Sequence, residues 1–434
     1  MKLLRPSVLA VALCFGLGAC ASDQSVQNNQ SAVAVKPAKS EKLQSLNWDS
    51  FNKAQLDQMI TQYGKDSPNY DPAHPPYVVF DWDNTSIFLD IQEAVLSYQL
   101  INLEFGATPA QLNQAIRMNI SSQNFDAGHN NAAGQPVNID KIAPDIIQSY
   151  TWLYNNYEGF KGKKSLAEVQ KSPHYMAFVS KMRYLYEAIG DTFDHATSYP
   201  WVTYMFTGMT EKQVRDVTAR TVKWQMNQPV EGVTWTTPAS LPGKAGVVSM
   251  TWNNGVRVVP EMQNLYKTLR DNGFDVWVCS ASFVDVIKEF SSNPEFGYNN
   301  PENRVLAMEL ERDKQGRIQP RFRAGYDQTQ GKGKTKTIER FLVSKYGYGP
   351  IFIAGDSEGD QNMMQDFTDT KKVLIINRLR SPSNDIGKLS KIAVETYGKA
   401  DAKYLLQGRN DNTGDYVKSQ KSYKFGSKEA RALK

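Results

Sequence analysis

The segment YVVFDWDNT, residues 77–85, is the most informative part of this 434-residue chain for predicting its fold. Its first four residues are continuously apolar, which is typical of a strand that is covered on both faces in a parallel sheet. Asp81 and Asp83 follow this apolar run directly. Ligands of open α/β sheets bind at the carboxyl ends of the strands, so this pair of carboxylates predicts a functional site at that edge.

Three further apolar runs have the same character and lie at residues 276–279, 351–354 and 373–376. Helical patterns precede two of them, over residues 260–272 and over residues 334–346. The order strand, helix, strand is typical of parallel strands joined by helical crossovers. The sequence therefore predicts an α/β fold with a Rossmann-like parallel sheet at its core.

The segment between the first two apolar runs differs from the rest of the chain. From about residue 91 to residue 249 no comparable strand run occurs, and the pattern favours a mainly helical insertion. Near its end, Asn254-Gly255 stands between two strand-like runs, residues 247–252 and 256–259. Because Asn-Gly is a strong two-residue turn signal, these two runs are predicted to form a hairpin.

A second acidic cluster, GDSEGD at residues 355–360, directly follows the third apolar run. It occupies the same position relative to its strand as Asp81 and Asp83 do to theirs. Two carboxylate clusters at one sheet edge predict an oxygen-ligand site for a hard divalent ion, and Mg²⁺ suits a site beside a substrate phosphate.

Polar residues also follow the second run, as Ser280-Ala281-Ser282. A hydroxyl followed by small residues lets hydrogen-bond donors approach an anionic oxygen closely. Taken alone, these residues are better explained by a simple turn.

The basic segment GKGKTK, residues 331–336, includes Gly333-Lys334-Thr335, which matches part of a nucleotide-binding P-loop. That motif needs glycine at position 328, where this chain has Gln328, so a P-loop is excluded. A lysine at the start of a helix that points at the sheet edge can instead neutralise a phosphate and a nucleophilic carboxylate together.

In this order, the motifs resemble those of the haloacid dehalogenase superfamily, in its phosphoserine-phosphatase-like branch, and most closely those of exported phosphorylcholine phosphatases. The Asp-x-Asp motif of that superfamily corresponds to Asp81 and Asp83, and its serine motif to Ser280. Its lysine motif corresponds to Lys334 and its Gly-Asp-x-x-x-Asp motif to residues 355–360. The second aspartate of the first motif separates the chain from the dehalogenases themselves, which need no leaving-group acid there.

The resemblance implies a division of the chain into domains. An α/β phosphatase core would comprise residues 47–90 and 263–434. A large, mainly helical cap, residues 91–262, would be inserted between the first and second motifs.

The resemblance also implies a role for each motif residue. Asp81 would be the nucleophile that forms an aspartyl-phosphate. Asp83 would be the general acid for the leaving alcohol and then the base for the hydrolytic water. Ser280, Ala281 and Lys334 would bind phosphoryl oxygens. Mg²⁺ would be bound by the residues Asp81, Asp83 (through its backbone carbonyl) and Asp356, while Asp360 would hold the lysine or a metal-bound water.

Lys336 is an alternative to Lys334 for the motif lysine. Lys334 is preferred because Ile338, four residues further on, continues the lysine-to-helix pattern of the superfamily.

Two features suggest a small phosphomonoester that carries an amine, such as phosphorylcholine or phosphoserine. Residues 150–206 contain 14 aromatic side chains, which would suit a quaternary ammonium group, although packing of the helical cap is the more common use of aromatic residues. Asp90 lies nine residues after Asp81, where the superfamily places the carboxylate that holds the amine of phosphoserine. A helix-start residue is an equally good explanation of Asp90.

The N-terminus carries targeting information. Residues 1–19 have a positive start and a short apolar stretch, which is the layout of a signal peptide. LGAC, residues 17–20, resembles a bacterial lipoprotein box in which Cys20 is lipidated, and Ala21 after it implies the outer membrane, facing the periplasm of a Gram-negative bacterium. An ordinary secretory signal cut near this point is the alternative. Polar residues up to about position 46 predict a flexible tether over residues 20–46.

The net charge and the cysteine content exclude some classes of function. A formal net charge of +5 without a concentrated basic run argues against a nucleic-acid partner. No protein partner is implied, and contact with a membrane is expected only through the N-terminal lipid. Cys279 lies inside an apolar run and is expected to be a buried thiol. Two alternatives to a dedicated phosphatase are a broad-specificity periplasmic acid phosphatase or phosphotransferase, and a non-catalytic lipoprotein that retains the fold.

Overall fold

The structure is a computed structural model that describes residues 41–434. The predicted signal peptide, the lipidation site at Cys20 and most of the predicted tether lie outside these residues. Within residues 41–434, no helix is both long enough and apolar enough to cross a membrane.

Strands and helices alternate through much of this range. The strands are β1 (Tyr77–Phe80), β2 (Ile87–Phe88), β3 (Glu231–Thr236), β4 (Ser249–Asn254), β5 (Arg257–Val258), β6 (Asp275–Phe283), β7 (Val305–Met308), β8 (Leu310–Arg312), β9 (Ile318–Phe322), β10 (Phe352–Gly355), β11 (Lys372–Ile376), β12 (Tyr404–Gln407), β13 (Ser422–Tyr423) and β14 (Ala430–Arg431). The helices are α1 (Ser50–Tyr63), α2 (Ile91–Asn102), α3 (Pro109–Ile116), α4 (Ile139–Asn156), α5 (Leu166–Val169), α6 (Pro173–Thr192), α7 (His195–Thr203), α8 (Glu211–Met226), α9 (Pro260–Asp271), α10 (Val284–Ser292), α11 (Lys332–Ile338), α12 (Ser344–Tyr346), α13 (Glu358–Asp366) and α14 (Asp385–Glu395).

A six-stranded parallel sheet in the order β12-β11-β10-β1-β6-β7 forms the core. The four apolar runs of the sequence are the four adjacent strands β11, β10, β1 and β6. This arrangement confirms the predicted α/β class with a parallel sheet. Because all the strands run the same way, their carboxyl ends, and the polar residues that follow them, meet at one edge.

The side chains of β1 alternate between two hydrophobic cores, as those of a strand covered on both faces must. Val78 and Phe80 pack with α1 and α9 on one face, and the rings of Phe80 and Tyr266 lie 4.4 Å apart between centroids. Tyr77 and Val79 pack on the other face with α11, α13 and α14. A strand buried on both sides is held rigidly, so β1 presents the residue after it, Asp81, in a fixed position.

The insertion between β2 and β5 is mainly helical, as predicted, and contains α2 to α8 together with the antiparallel hairpin β3–β4. At its base, β2 pairs with β5, where Ile87 lies opposite Val258. The chain therefore enters and leaves the insertion side by side.

The predicted hairpin at Asn254-Gly255 is wrong. β4 pairs with the earlier strand β3, and the residues after Gly255 go on to pair with β2. Gly255 does adopt a left-handed conformation, with φ of 95°. However, its N–H and that of Val256 both donate to the side-chain oxygen of Gln225, at 2.7 and 3.0 Å. The hydrogen-bond partner of these two N–H groups is therefore a side chain about 30 residues earlier, and not the other strand of a hairpin.

Candidate active site

Asp81 is the first residue after β1 and lies at the centre of the carboxyl edge of the sheet. Its backbone N–H donates to the carbonyl of Ala354 at the end of β10, 2.9 Å away. One carboxylate oxygen accepts a hydrogen bond from Lys334 Nζ at 2.6 Å, and the other accepts one from Thr85 Oγ1 at 2.9 Å. Burial and the charge of Asp360 raise the pKa of Asp81 above its ordinary value, whereas Lys334 acts in the opposite direction.

Lys334 bridges the two acidic clusters. Its ammonium group lies 2.6 Å from Asp81 Oδ1 and 2.7 Å from Asp360 Oδ1, and only 1% of the side chain is exposed. Burial lowers the pKa of Lys334, but the charges of Asp360 and Asp81 outweigh burial and raise it. Lys332 and Lys336 are exposed on the same helix. The structure thus places Lys334, and not Lys336, at the sheet edge.

Asp356 and Asp360 follow β10 and face Asp81 from the neighbouring strand end. Asp356 accepts hydrogen bonds from Thr85 Oγ1 at 3.0 Å and from Arg378 Nη1 at 2.7 Å. Burial raises the pKa of Asp356, but the charges of Arg378, Arg380 and Arg409 together with the hydrogen bond from Arg378 outweigh burial, and the net shift is downward. The second oxygen of Asp360 accepts hydrogen bonds from the backbone N–H of Asp356 and of Ser357, at 3.0 and 3.1 Å.

Asp83 lies above Asp81, and its carboxylate is held by two donors. The N–H of Ile91, at the start of α2, donates to one oxygen at 2.7 Å, and Ser282 Oγ donates to the other at 2.6 Å. Burial, followed by the charge of Asp90, raises the pKa of Asp83 well above its ordinary value. A carboxyl group whose pKa is raised keeps its proton to higher pH, which suits a general acid.

The donor set fits a hard divalent cation. Asp81, Asp356 and Asp360 each offer a carboxylate oxygen, and these three atoms lie within 4.8 Å of one another. Within the described part of the chain, the backbone carbonyl of Asp83 accepts no hydrogen bond and is a fourth possible oxygen ligand. Carboxylate and carbonyl oxygens of this kind are the ligands through which Mg²⁺ is bound in proteins.

The serine motif divides into two parts. Ser280 is fully buried, its hydroxyl accepts the N–H of Ser282 at 3.1 Å, and Thr329 Oγ1 donates to its carbonyl. Ala281 and Ser282, in contrast, line the cavity. The sequence prediction named Ser280 and Ala281 and missed Ser282, which contacts Asp83 directly.

A cavity of about 440 Å³ opens above these groups. One wall comes from the insertion and is acidic and aromatic, and it includes the side chains of Asp90, Glu93, Tyr186, Glu187, Asp191, His195 and Tyr199. Another wall comes from the loop after β11 and contains Arg378 and Arg380. The two walls above the acidic floor therefore differ in charge.

Asp90 is both a helix-start residue and a cavity residue, so both explanations that the sequence offers for it apply. It is the N-cap of α2, where its carboxylate accepts the N–H of Glu93 at 3.0 Å, and it also lines the cavity. Burial and the charge of Glu93 raise the pKa of Asp90 to about 7. Glu93 and Glu187 are engaged by Arg183, at 2.9 and 2.8 Å, whereas Asp90 has no ion pair among the described residues.

Most of the aromatic residues at positions 150–206 pack in the protein interior rather than around a ligand. Tyr150, Phe178, Trp201 and Phe206 are fully buried. Of the 14 aromatic residues, only Tyr186 and Tyr199 line the cavity. The more common explanation, packing of the insertion, therefore accounts for most of this composition.

Arg378 and Arg380 are site residues that the sequence analysis missed. They follow the fourth apolar run, as the acidic clusters follow the first and third. Their signal was available, because two arginines directly after a buried parallel strand lie at the same edge as the carboxylates.

Comparison with known proteins gives one strong and two distant likenesses. No protein-family model matches the chain. The crystal structure of a conserved, functionally unknown protein from Anaerococcus prevotii DSM 20548 has a TM-score of 0.83, with 34% identity over 88% of this chain and 98% of that one. A phosphoserine phosphohydrolase-like protein from Francisella tularensis subsp. tularensis SCHU S4 has a TM-score of 0.32 and 12% identity over 70% of this chain and 87% of that one.

A phosphorylcholine phosphatase from Pseudomonas aeruginosa is 26% identical over 113 residues. The match spans 26% of this chain and 30% of that protein, which is less than a third of the curated relative. The six-stranded parallel core, with Asp81, Lys334 and Asp360 brought together at one edge, agrees with the α/β fold predicted from the sequence.

Proposed function

We propose that this chain, which belongs to the same protein family as the functionally unknown Anaerococcus prevotii protein, is a Mg²⁺-dependent phosphomonoester hydrolase that works through an aspartyl-phosphate. The contact of Lys334 with both Asp81 and Asp360 carries this proposal. It fixes a carboxylate nucleophile beside a buried cation, at the sheet edge where the second acidic cluster also lies. Phosphoryl transfer depends mainly on such positioning and charge compensation.

In the first step, a carboxylate oxygen of Asp81 attacks phosphorus, and the bond from phosphorus to the leaving alcohol breaks. Asp83 donates its proton to the leaving oxygen. In the second step, Asp83 takes a proton from the water that attacks phosphorus, the bond to Asp81 breaks, and inorganic phosphate leaves. The raised pKa of Asp83 supports its role as the acid in the first step.

The carboxylates of Asp81 and Asp356 and the carbonyl of Asp83 would hold Mg²⁺. When bound, the ion supplies positive charge against the phosphoryl oxygens. Lys334 donates to the phosphoryl group while it stays paired with Asp360. Ser282 holds Asp83 in position, and Ala281 leaves room for the phosphoryl group beside it.

The substrate we propose is a small phosphomonoester with an amine, such as phosphorylcholine or phosphoserine. Asp90, which has no ion pair among the described residues, supports this choice because an ammonium group would supply the missing countercharge. Tyr186 and Tyr199 lie on the same wall, where a cation can contact an aromatic face. The partial likeness to a phosphorylcholine phosphatase points the same way.

The proposed cap is the insertion, residues 91–262, and the proposed location is outside the cytoplasm, anchored by lipid at Cys20 in the outer membrane. Radiolabelled palmitate should be incorporated into the full chain expressed in a Gram-negative host and absent from Cys20→Ser. Equal labelling of both chains would contradict the anchor. Absence of label from both, with the protein free in the periplasm, would favour an ordinary secretory signal.

Phosphate release tests the proposed activity. The protein without residues 1–20 is assayed with p-nitrophenyl phosphate and with phosphorylcholine, each with Mg²⁺ and with a chelator. We expect metal-dependent release that is lost in Asp81→Asn and kept in Asp216→Asn, a matched change at an exposed ion pair. A strong preference for phosphorylcholine supports the amine-bearing substrate, and similar rates across many monoesters favour a broad-specificity phosphatase. A folded, metal-binding protein that releases phosphate from no monoester contradicts the proposal.

A further inference from the structure

A second cavity, of about 460 Å³, lies beside the catalytic cavity and shares Arg378 and Arg380 with it. We call it the tail pocket, because the C-terminal tail after β12 forms its outer side. Its lining residues with ionisable side chains are Arg378, Arg380, Lys424, Glu429, Arg431 and Lys434. Basic side chains thus outnumber the one carboxylate side chain by five to one.

The tail pocket is built by hydrogen bonds that hold its two sides together. Asn377, at the end of β11, donates from its side-chain amide to the carbonyls of Gln420 and Ala432 in the tail, at 2.7 and 2.8 Å. Its side-chain oxygen accepts the N–H of Leu379 at 2.9 Å. Leu379 has a φ of 54°, in the left-handed region, so the backbone between the two arginines is held in a conformation that few non-glycine residues adopt.

The outer side is held in the same way. The side chain of Asn412 accepts the N–H of Gly426 at 2.7 Å and donates to the carbonyl of Ser427 at 3.1 Å. The short strands β13 and β14 pair just outside this loop. The positions of Lys424 and Arg431 therefore follow from contacts within the protein and are set before any ligand binds.

Two of these cations, Arg380 and Lys424, lack close counterions, whereas Arg431 is paired with Glu429, with 2.8 Å between Arg431 Nη2 and Glu429 Oε2. Within residues 41–434, Arg380 makes no hydrogen bond, its Nε is buried without a partner, and its nearest carboxylate oxygen, on Asp356, is 3.7 Å away. Lys424 comes no closer than 3.8 Å to a carboxylate oxygen, that of Asp411. Burial and the positive charges of Arg378, Arg409 and Arg380 lower the pKa of Lys424, although Asp411 acts against them. Clustered cations of this kind repel one another unless an anion lies between them.

We propose that the tail pocket binds a phosphate-type oxyanion through Arg380, Lys424 and Arg431. The anion has two possible sources. It is either a second phosphoryl group of the substrate, which would reach the tail pocket past Arg378 and Arg380, or free inorganic phosphate. The first source rests on the proposed function, whereas the binding site itself does not.

Calorimetric titration of the folded protein with inorganic phosphate, in the presence of Mg²⁺, tests the site without any need for turnover. The pocket variant is Lys424→Ala/Arg431→Ala. Its matched control is Lys421→Ala/Lys428→Ala, which removes the same charge from exposed positions of the same tail outside the pocket. We expect the pocket variant to lose one phosphate site, or to bind it at least tenfold more weakly, while the control binds as the unaltered chain does. Equal titrations of the variant and the control would overturn the proposal.

Kinetics then distinguish the two sources. KM is measured for p-nitrophenyl phosphate and for a short-chain diol bisphosphate. If the substrate supplies the anion, the pocket variant should raise KM for the bisphosphate at least tenfold more than KM for the aryl phosphate. If free phosphate is the ligand, the titration should change while the ratio of the two KM values stays constant. Should the chain hydrolyse neither compound, the proposed function fails, and the titration still decides whether the site exists.

Discussion

The floor and the walls of the catalytic cavity are built in different ways. On the floor, the carboxylates of Asp81, Asp83, Asp356 and Asp360 are all hydrogen-bonded within the protein, and the single hydroxyl proton of Thr85 is shared between Asp81 and Asp356. On the walls, the side chains of Arg380, Tyr199 and His195 make no hydrogen bond to any described residue, although other wall side chains, such as Arg378 and Glu187, are bonded. The floor groups also lie at strand ends, whereas most wall groups come from the insertion and from loops.

This difference separates chemistry from recognition. Groups that stabilise a transition state work best when they are fixed before the substrate arrives, which the bonded floor achieves. Groups that recognise a substrate can gain their hydrogen-bond partners when the substrate binds. The wall side chains that make no hydrogen bond within the protein are free to do so. Changes on the floor should therefore affect every substrate, and changes on the walls should affect some substrates more than others.

The largest effect should come from Lys334→Met on the floor. The change leaves Asp81 and Asp360 buried without their shared cation, and breaking a buried ion pair in this way costs roughly 3–5 kcal/mol of unfolding free energy. We also expect a loss of about a hundredfold or more in kcat/KM for every phosphomonoester, because a fixed positive charge is removed. Urea unfolding and phosphate release measure the two effects.

Lys336→Met is the matched control, since Lys336 is an exposed lysine on the same helix. Its effect on unfolding should stay within about 0.5 kcal/mol, and its activity should be normal. The opposite pattern, with Lys336→Met inactive and Lys334→Met active, would show that Lys336 is the motif lysine and would contradict the description of the floor.

A smaller and selective effect is expected on the acidic wall from Asp90→Asn. Asparagine caps a helix as well as aspartate does, so α2 keeps its N-cap and only the charge is lost. We expect KM for phosphorylcholine to rise about tenfold, which corresponds to about 1.4 kcal/mol, with little change for p-nitrophenyl phosphate. Asp194→Asn, the same change at the exposed N-cap of α7, is the control. If both substrates lose equally, Asp90 has no part in amine recognition.

The same wall should respond to pH. The pKa of Asp90 is raised to about 7 by burial and by the charge of Glu93, with Arg378 acting against them. Its carboxylate is therefore charged at pH 8 and largely neutral at pH 6, so its attraction for an ammonium group should weaken as the pH falls. We expect the ratio of kcat/KM for phosphorylcholine to that for p-nitrophenyl phosphate to drop severalfold between pH 8 and pH 6.

In Asp90→Asn, this ratio should fall much less with pH than in the unaltered chain. The titration of Asp83 does not cancel in the ratio, because choline takes a proton from Asp83 on leaving whereas p-nitrophenolate leaves without one. Protonation of Asp83 at low pH favours phosphorylcholine, so it acts against the expected fall. A ratio that falls as steeply in the variant as in the unaltered chain would assign the effect to another group on the wall, such as Glu187.

The floor was also the part of the site that local sequence could predict. Asp81, Lys334 and Asp356 each lie next to an apolar strand or at the start of a helix, and parallel pairing brings such positions to one edge without further information. Arg378 and Arg380 obey the same rule. They were missed because a pair of arginines after a strand does not resemble a metal or phosphate motif until Asp356 is known to lie 2.7 Å away.

The walls depend on contacts between residues far apart in the chain. Gly255 looks like a hairpin turn, yet its N–H is satisfied by Gln225 and its flanking strands pair elsewhere. The tail is positioned by Asn377, more than 40 residues before the carbonyls that it binds. Ser282 was overlooked because the register of β6 against β7 shifts between Cys279 and Phe283, and this irregularity decides which of the two serines faces the cavity. Periodicity and motif spacing carry no information about such contacts between residues that are distant in the sequence.

The smallest effect should come from chemical modification at Cys279, which lies within β6 beneath the floor. Its reactivity tests whether the floor is as rigid as the contrast with the walls requires. It is fully buried, and burial raises the pKa of its thiol to about 12. In the protein without residues 1–20, Cys279 is the only cysteine. We therefore expect its thiol to remain unmodified by an aromatic disulfide reagent at pH 8 in the folded protein and to react fully in urea. Phosphate release measured after the incubation should be unchanged. Rapid modification of the folded protein would mean that the floor opens on the time scale of the assay, and the contrast between a fixed floor and adaptable walls would not hold.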